Sequence, residues 1–202
     1  MKKFTIVIAG ILATQSMLAQ ELNLNFKSLM SFNYSVAVPV GNLGDFISKT
    51  SPRGFSFEYK KALTPNFYIG GETGFNNFYE DLGNGTFEKG TASITGYQTR
   101  YNTSLPFLVT ADYFYQENDK FKPYLSLGIG TIYDNREVDL GLLTDSADAW
   151  FFAIKPEVGV LFNINSFSGI KIGAKYYQTF DARDLDAYSY FSFNIGYVLM
   201  RF

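Results

Sequence analysis

From Met30 onward the large apolar residues take every second position: Met30, Phe32, Tyr34, Val36 and Val38 alternate with Ser31, Asn33, Ser35 and Ala37. A period of two separates these sets onto opposite faces of a β-strand. The alternation returns in Phe55, Phe57 and Tyr59 against Ser56, Glu58 and Lys60, and in Phe67, Ile69 and Phe75 against Tyr68, Glu72 and Asn76. A longer run sets Tyr101, Leu105, Phe107, Val109 and Tyr113 against Arg100, Asn102, Ser104, Thr110 and Asp112. Leu125, Leu127 and Ile129 oppose Tyr124, Ser126 and Gly128, and Phe152, Ile154, Val158 and Phe162 oppose Ala153, Lys155 and Glu157. The last two runs set Ile170, Ile172 and Tyr176 against Lys171, Lys175 and Tyr177, and Phe191, Phe193, Ile195 and Tyr197 against Ser192, Asn194 and Gly196. The pattern predicts eight strands and an all-β chain.

The connections alternate too. Short links at 63–66, 116–121 and 163–168 interleave with long polar ones at 41–52, 80–91, 134–148 and 180–187. An even-stranded antiparallel meander with all its long loops at one end is the wiring of single-chain transmembrane β-barrels. A soluble, lipocalin-like barrel would instead turn its apolar face inward around a ligand. Volume separates the two readings, because an eight-stranded barrel has an interior just wide enough for side chains to fill. The many Phe, Tyr, Leu and Ile residues would overfill it, whereas the small and charged set fits. Turned outward, the apolar set forms a belt far larger than soluble monomers expose. The expected solvent for that belt is lipid.

The inward set carries Glu58, Glu72, Asp112 and Glu157 with Lys60, Arg100, Lys155, Lys171 and Lys175. Isolated charges in a narrow lumen are costly, so near-balanced signs predict a structural network of ion pairs that plugs the barrel. A selective pore or proton path is the functional alternative. Tyr59, Tyr97, Tyr101, Tyr113, Tyr115, Tyr133, Tyr176 and Tyr197 fall toward the ends of the outward sets and are expected to form interfacial girdles.

The first residues read differently. Lys2 and Lys3 precede an apolar stretch from Phe4 to Ala13, and small or uncharged residues lead to Met17-Leu18-Ala19. This is the layout of a secretory signal peptide, expected over residues 1–19, with the barrel over 20–202. Nowhere after residue 20 does an apolar run approach the roughly 18 residues of a membrane helix. The 202-residue chain carries a net charge of -2, which becomes -4 without Lys2 and Lys3, so nucleic-acid binding has no electrostatic support. There is no Cys and no His. That removes disulfides, thiolate and imidazole metal sites, and Ser-His-Asp or Cys-His catalysis. Neither catalysis nor a cofactor is expected, and the acidic runs 181–186 and 145–148 lack the glycine and distal Glu of a calcium loop.

With these features the chain resembles the small eight-stranded outer-membrane β-barrel proteins of the OmpX and OmpA membrane-domain type. Lys122-Pro123-Tyr124 before Gly128-Ile129-Gly130 is similar to a strand opening of that family, and Arg53-Gly54-Phe55 with Leu63-Thr64-Pro65-Asn66 to its second strand and first periplasmic turn. Phe202 after Val198, Met200 and Arg201 looks like the terminal signal read by the barrel-assembly machinery. For Val198, Met200 and Phe202 to face outward, a β-bulge is needed near Tyr197 and Val198. The resemblance implies an integral outer-membrane protein with periplasmic termini, monomeric and lipid-embedded. Its role is expected to be structural or surface-interacting through its extracellular loops, their partner unspecified. A narrow channel for small or hydrophobic solutes is the alternative. Lipid A deacylases, omptin-type proteases and the barrel palmitoyltransferases each use a His that this chain lacks.

Overall fold

The computed structural model describes residues 28–89, 92–115, 120–140, 143–182 and 185–201. Eight strands run in sequence order: β1 (Ser28–Val40), β2 (Ser51–Ala62), β3 (Phe67–Lys89), β4 (Ala92–Phe114), β5 (Phe121–Leu140), β6 (Leu143–Asn165), β7 (Ser168–Thr179) and β8 (Ser189–Arg201). Each pairs antiparallel with its neighbours, and β8 closes on β1. Closure leaves the ring no edge and satisfies its backbone groups internally.

The alternation sorts as its volumes demand. Phe32, Tyr34, Phe55, Val109, Leu125, Val158, Phe193 and Ile195 are exposed on the outer wall, while Ser31, Asn33, Ser56, Glu58, Glu72, Asp112, Lys155 and Lys175 are buried inside. This is the inverse of a soluble ligand-binding barrel.

Two segments expected as long loops are instead strand. β3 and β4 stay paired up to Lys89 and Ala92, and β5 and β6 up to Leu140 and Leu143. β4 and β5 remain in register up to Gln98 and Leu140. The result is a four-stranded sheet raised above one half of the rim, since β1, β2, β7 and β8 end lower. Residues 143–148 are exposed on both faces of β6, so the period-two signal vanishes there although the ladder continues.

The 41–50 connection is not simple loop either. A short helix α1 (Asn42–Phe46) follows Gly41, whose φ of 55° suits a residue without Cβ. Leu43 and Ile47 drop from it into the barrel mouth and are fully buried. Of the long loops, the described residues 180–182 and 185–187 are irregular apart from a bridge between Ala182 and Leu185.

The expected bulge at Tyr197 and Val198 is absent. β8 runs against β1 without a register shift from Ser189 to Arg201, so Val198 is buried in the lumen and Leu199 faces out. Continuous pairing on both flanks leaves no room for an extra residue. Phe202 and the 1–19 segment lie outside the described residues.

Candidate functional site

The lumen holds three layers. At the end where the chain begins, Leu29, Ala62, Tyr68, Phe114, Tyr124, Leu161 and Val198 form an apolar layer, with Met200 against it. At the other end Leu43, Ile47, Phe78, Leu108, Ile132, Phe151, Tyr177, Tyr188 and Tyr190 form a larger one. Eight charged side chains are packed between them.

Register explains why these eight meet. Glu58 on β2 lies directly opposite Glu72 on β3, a like-charge pair that is unfavourable by itself. Lys175, across the lumen on β7, bridges both carboxylates at 2.8 Å each. Lys155 on β6 reaches Glu72 at 2.5 Å and Glu157 at 2.6 Å. Lys171 joins Glu58 at 2.6 Å and Glu157 at 3.0 Å. Lys60 binds Glu58 at 2.7 Å and also Asp112. Four acids and four lysines thus form one continuous cluster of zero net charge, each lysine shared between two carboxylates. In a low-dielectric interior such sharing offsets desolvation that an isolated pair would not.

Neutral groups complete the shell. Tyr177 donates to Glu72 and Tyr124 to Glu157, both at 2.6 Å, and Asn33 donates to Glu58 at 3.2 Å. Lys171 also lies over the Tyr124 ring at 4.9 Å. The sequence places Tyr124 and Tyr177 on the inner face but does not single them out as ligands of the carboxylates. Their signal is a large hydroxylated ring within an otherwise small inner set. Space for one of them comes from Gly159 and Gly173, paired on β6 and β7. A Cβ at Gly159 would lie 2.4 Å from the Tyr124 hydroxyl and 2.5 Å from the Ile172 carbonyl oxygen. Gly159→Ala is therefore expected to expel the Tyr124 hydroxyl and cost about 1–3 kcal/mol, read as a lower urea midpoint for unfolding from lipid vesicles.

Arg100 does not join the cluster. It sits near the opposite rim, donates to the Phe46 carbonyl at 2.8 Å and lies 5.1 Å from the Phe46 ring. Its strand position is inward but several residues beyond the charged layer, and α1 offers a nearer acceptor. Glu80, across from Arg100 on β3, accepts from the Ser48 hydroxyl and amide at 2.6 and 2.7 Å, which ties the end of the α1 segment to the wall.

Glu58, Glu72 and Glu157 bring carboxylate oxygens within 4.8 Å of one another, close enough in principle to hold a cation. The lysine ammonium groups already occupy that role. A metal ion would have to displace at least two of them from buried pairs, and the donor set is not that of a built metal site.

Outside, aromatic pairs ring the wall below the raised sheet: Tyr79 with Tyr101, Tyr133 with Trp150 and Tyr176 with Phe191, at centroid separations of 5.2, 5.3 and 4.8 Å. Tyr59, Tyr113, Tyr115 and Tyr197 lie exposed toward the other end. Tyr97 departs from the girdle. It stands higher, opposite Asn84, and donates to Asp81.

Two crystal structures share this architecture over most of the chain. Ail, the attachment invasion locus protein of Yersinia pestis, superposes with a TM-score of 0.52 at 15% identity, covering 88% of this chain and all of that one. Neisserial surface protein A gives 0.51 at 12% identity, covering 86% and 96%. The fold is that of the small outer-membrane β-barrels. Ail bound to the heparin analogue sucrose octasulfate scores 0.50 at 17% identity, over 88% of this chain and all of that one. No family model and no curated protein matches the sequence. Likeness to small outer-membrane barrels therefore rests on the fold, not on shared motifs such as Lys122-Pro123-Tyr124.

Proposed function

We propose that this chain is an integral outer-membrane protein whose lumen is sealed and whose raised β3–β6 sheet is a surface for interaction outside the cell. In this reading residues 1–19 are a secretory signal, the termini and short turns are periplasmic, and the protein is a non-catalytic monomer. The outward apolar belt supports the membrane setting: lipid solvates Phe32, Val109, Leu125, Val158 and Phe193, which are all more than half exposed.

The raised sheet carries the interaction role. It lifts two free strand edges above the rim. The β3 edge is blunted by a register shift between Asp81 and Gly83 and by Ser48 on Glu80, whereas β6 from Leu143 to Trp150 runs in unshifted register with β5 and carries no Pro or Lys. An edge without Pro or bulge, charged at Asp145 and Asp148, can pair with an extended partner. The likeness to an attachment protein agrees with that reading. Cells displaying the protein should adhere to immobilised protein surfaces better than cells lacking it, and Ser146→Pro, which removes an amide facing away from β5, should reduce the difference. Equal adhesion with and without the protein would overturn the interaction role.

The membrane setting has separate tests. The protein should resist carbonate extraction and should migrate faster on a gel unheated than boiled. In a planar bilayer it should show no steady conductance, because the charged layer is closed by an apolar layer at each end. Stable ion-selective openings would move the channel alternative to first place.

A further inference from the structure

The outer wall of a lipid-facing barrel is usually ridged by large side chains, yet one sector of β2–β5 is hollow. Gly71 faces outward there among Phe57, Tyr59, Phe107, Val109 and Ile129, and its missing side chain opens a groove of about 770 Å3. Ile69 and Lys61 are paired neighbours at its lower end, where β2 and β3 approach the 63–66 turn. Thr73 and Thr131 lie at its upper end. From Ile69 to Thr73 is four residues, about 14 Å of strand, which at a strand tilt of about 40° rises about 10 Å along the membrane normal, less than half of a hydrocarbon core of about 30 Å. The groove therefore fits within one leaflet.

Charge distinguishes its two ends. Lys61 is exposed on the outer face at the turn end. In the same sector the outward charges beyond the girdle are mixed, with Asp81 on β3, Glu137 on β5 and Arg53 on β2 over Tyr79, and none of them lines the groove. A second outer groove, of about 510 Å3 around Ala174, Val158, Ile172 and Phe193, is lined by no charged residue. Apolar hollowness occurs twice on the wall, and the hollow with a cation at its mouth occurs once among the grooves described.

We propose that the Gly71 groove holds the acyl chains of one anionic phospholipid of the periplasmic leaflet, with the lipid phosphate at Lys61. This rests on the membrane orientation given under Proposed function. The apolar walls exclude water from the chains, and the ammonium of Lys61 meets the phosphate at the interface, where each such cation strengthens binding to an anionic lipid surface. Lys61 is the only cation lining the groove, and its upper end is lined by Thr73 and Thr131, so the leaflet nearer Lys61 supplies the occupant.

Gly71 gives an unusually clean test. A Cβ there would meet only the Leu108 carbonyl oxygen, at 3.7 Å, which is ordinary contact. Gly71→Leu should fold and fill the groove. The protein, folded into vesicles of mixed phosphatidylcholine and phosphatidylglycerol and then extracted in mild detergent, is examined by native mass spectrometry. The wild type is expected to retain one phospholipid, with phosphatidylglycerol enriched over its share in the vesicle. Gly71→Leu should lose the retained lipid, Lys61→Glu should lower the phosphatidylglycerol preference about fivefold, and Ala174→Leu, filling the uncharged groove, should change neither. Equal retention by wild type and Gly71→Leu, or equal loss in Gly71→Leu and Ala174→Leu, would overturn the site. Loss in Gly71→Leu with an unchanged preference in Lys61→Glu would overturn the phosphate contact. Heat-dependent gel mobility of each variant reports folding and membrane insertion separately, so failure of the membrane reading would be seen there first.

Discussion

Glu58→Ala is expected to destabilise the folded barrel by about 3–5 kcal/mol, the range for leaving a buried ion partner uncompensated. Glu58 is fully buried and accepts from Lys60, Lys171 and Lys175 together, more cations than any other carboxylate of the cluster. Its removal leaves the layer one positive charge in excess between two apolar layers that admit no counter-ion. Urea unfolding from lipid vesicles measures the loss. The double variant Glu58→Ala/Lys171→Met should recover part of it, because neutrality returns and the methionine fills similar volume. An additive double variant would show that the charges act independently and that the shared network is not the stabilising unit. Glu157→Ala should follow the same direction, since Glu157 joins Lys155 and Lys171 and accepts from Tyr124.

Val109→Arg should cost about 2–4 kcal/mol or block assembly altogether, as a guanidinium placed near the bilayer midplane does on other barrels. Val109 is 63% exposed on the outer wall, opposite Gly71 and Ile129 and well away from either rim. Val158, 55% exposed on β6 two strands further round the barrel, should respond similarly. Leu199→Arg provides the contrast. It lies outward near the end of β8, two residues from Arg201, where the side chain can reach headgroups and the cost falls to about 0–1 kcal/mol. Equal tolerance at all three positions would mean that the apolar belt does not meet lipid.

The eight strands, their order and the face taken by the membrane-crossing residues up to Tyr197 were legible in the sequence, because a membrane-crossing barrel needs a strict period of two in every strand. The charged part of the inward set was legible for the same reason, although the interior also takes Phe78, Phe114, Phe151, Tyr188 and Tyr190 in its end layers. That reading located Glu58, Lys60, Glu72, Asp112, Lys155, Glu157, Lys171 and Lys175 on the lumen face. It misjudged Arg100, because facing inward says nothing about depth along the axis, and α1 stands where the sequence pattern suggested only loop. The raised sheet was hidden because strands wet on both faces lose the alternation that identifies strands at all. The missing bulge at Val198 was equally out of reach, since only the pairing of β8 with β1 and β7 decides whether an extra residue can be accommodated. By itself the sequence determined the class, the strand count and the inside-outside partition, all of which depend on local periodicity and volume. Tertiary structure decided which lysine shares which carboxylates, the sealing of the lumen by α1 and the hollow at Gly71. Each of these depends on strand register and on contacts across the barrel, between residues far apart in the chain.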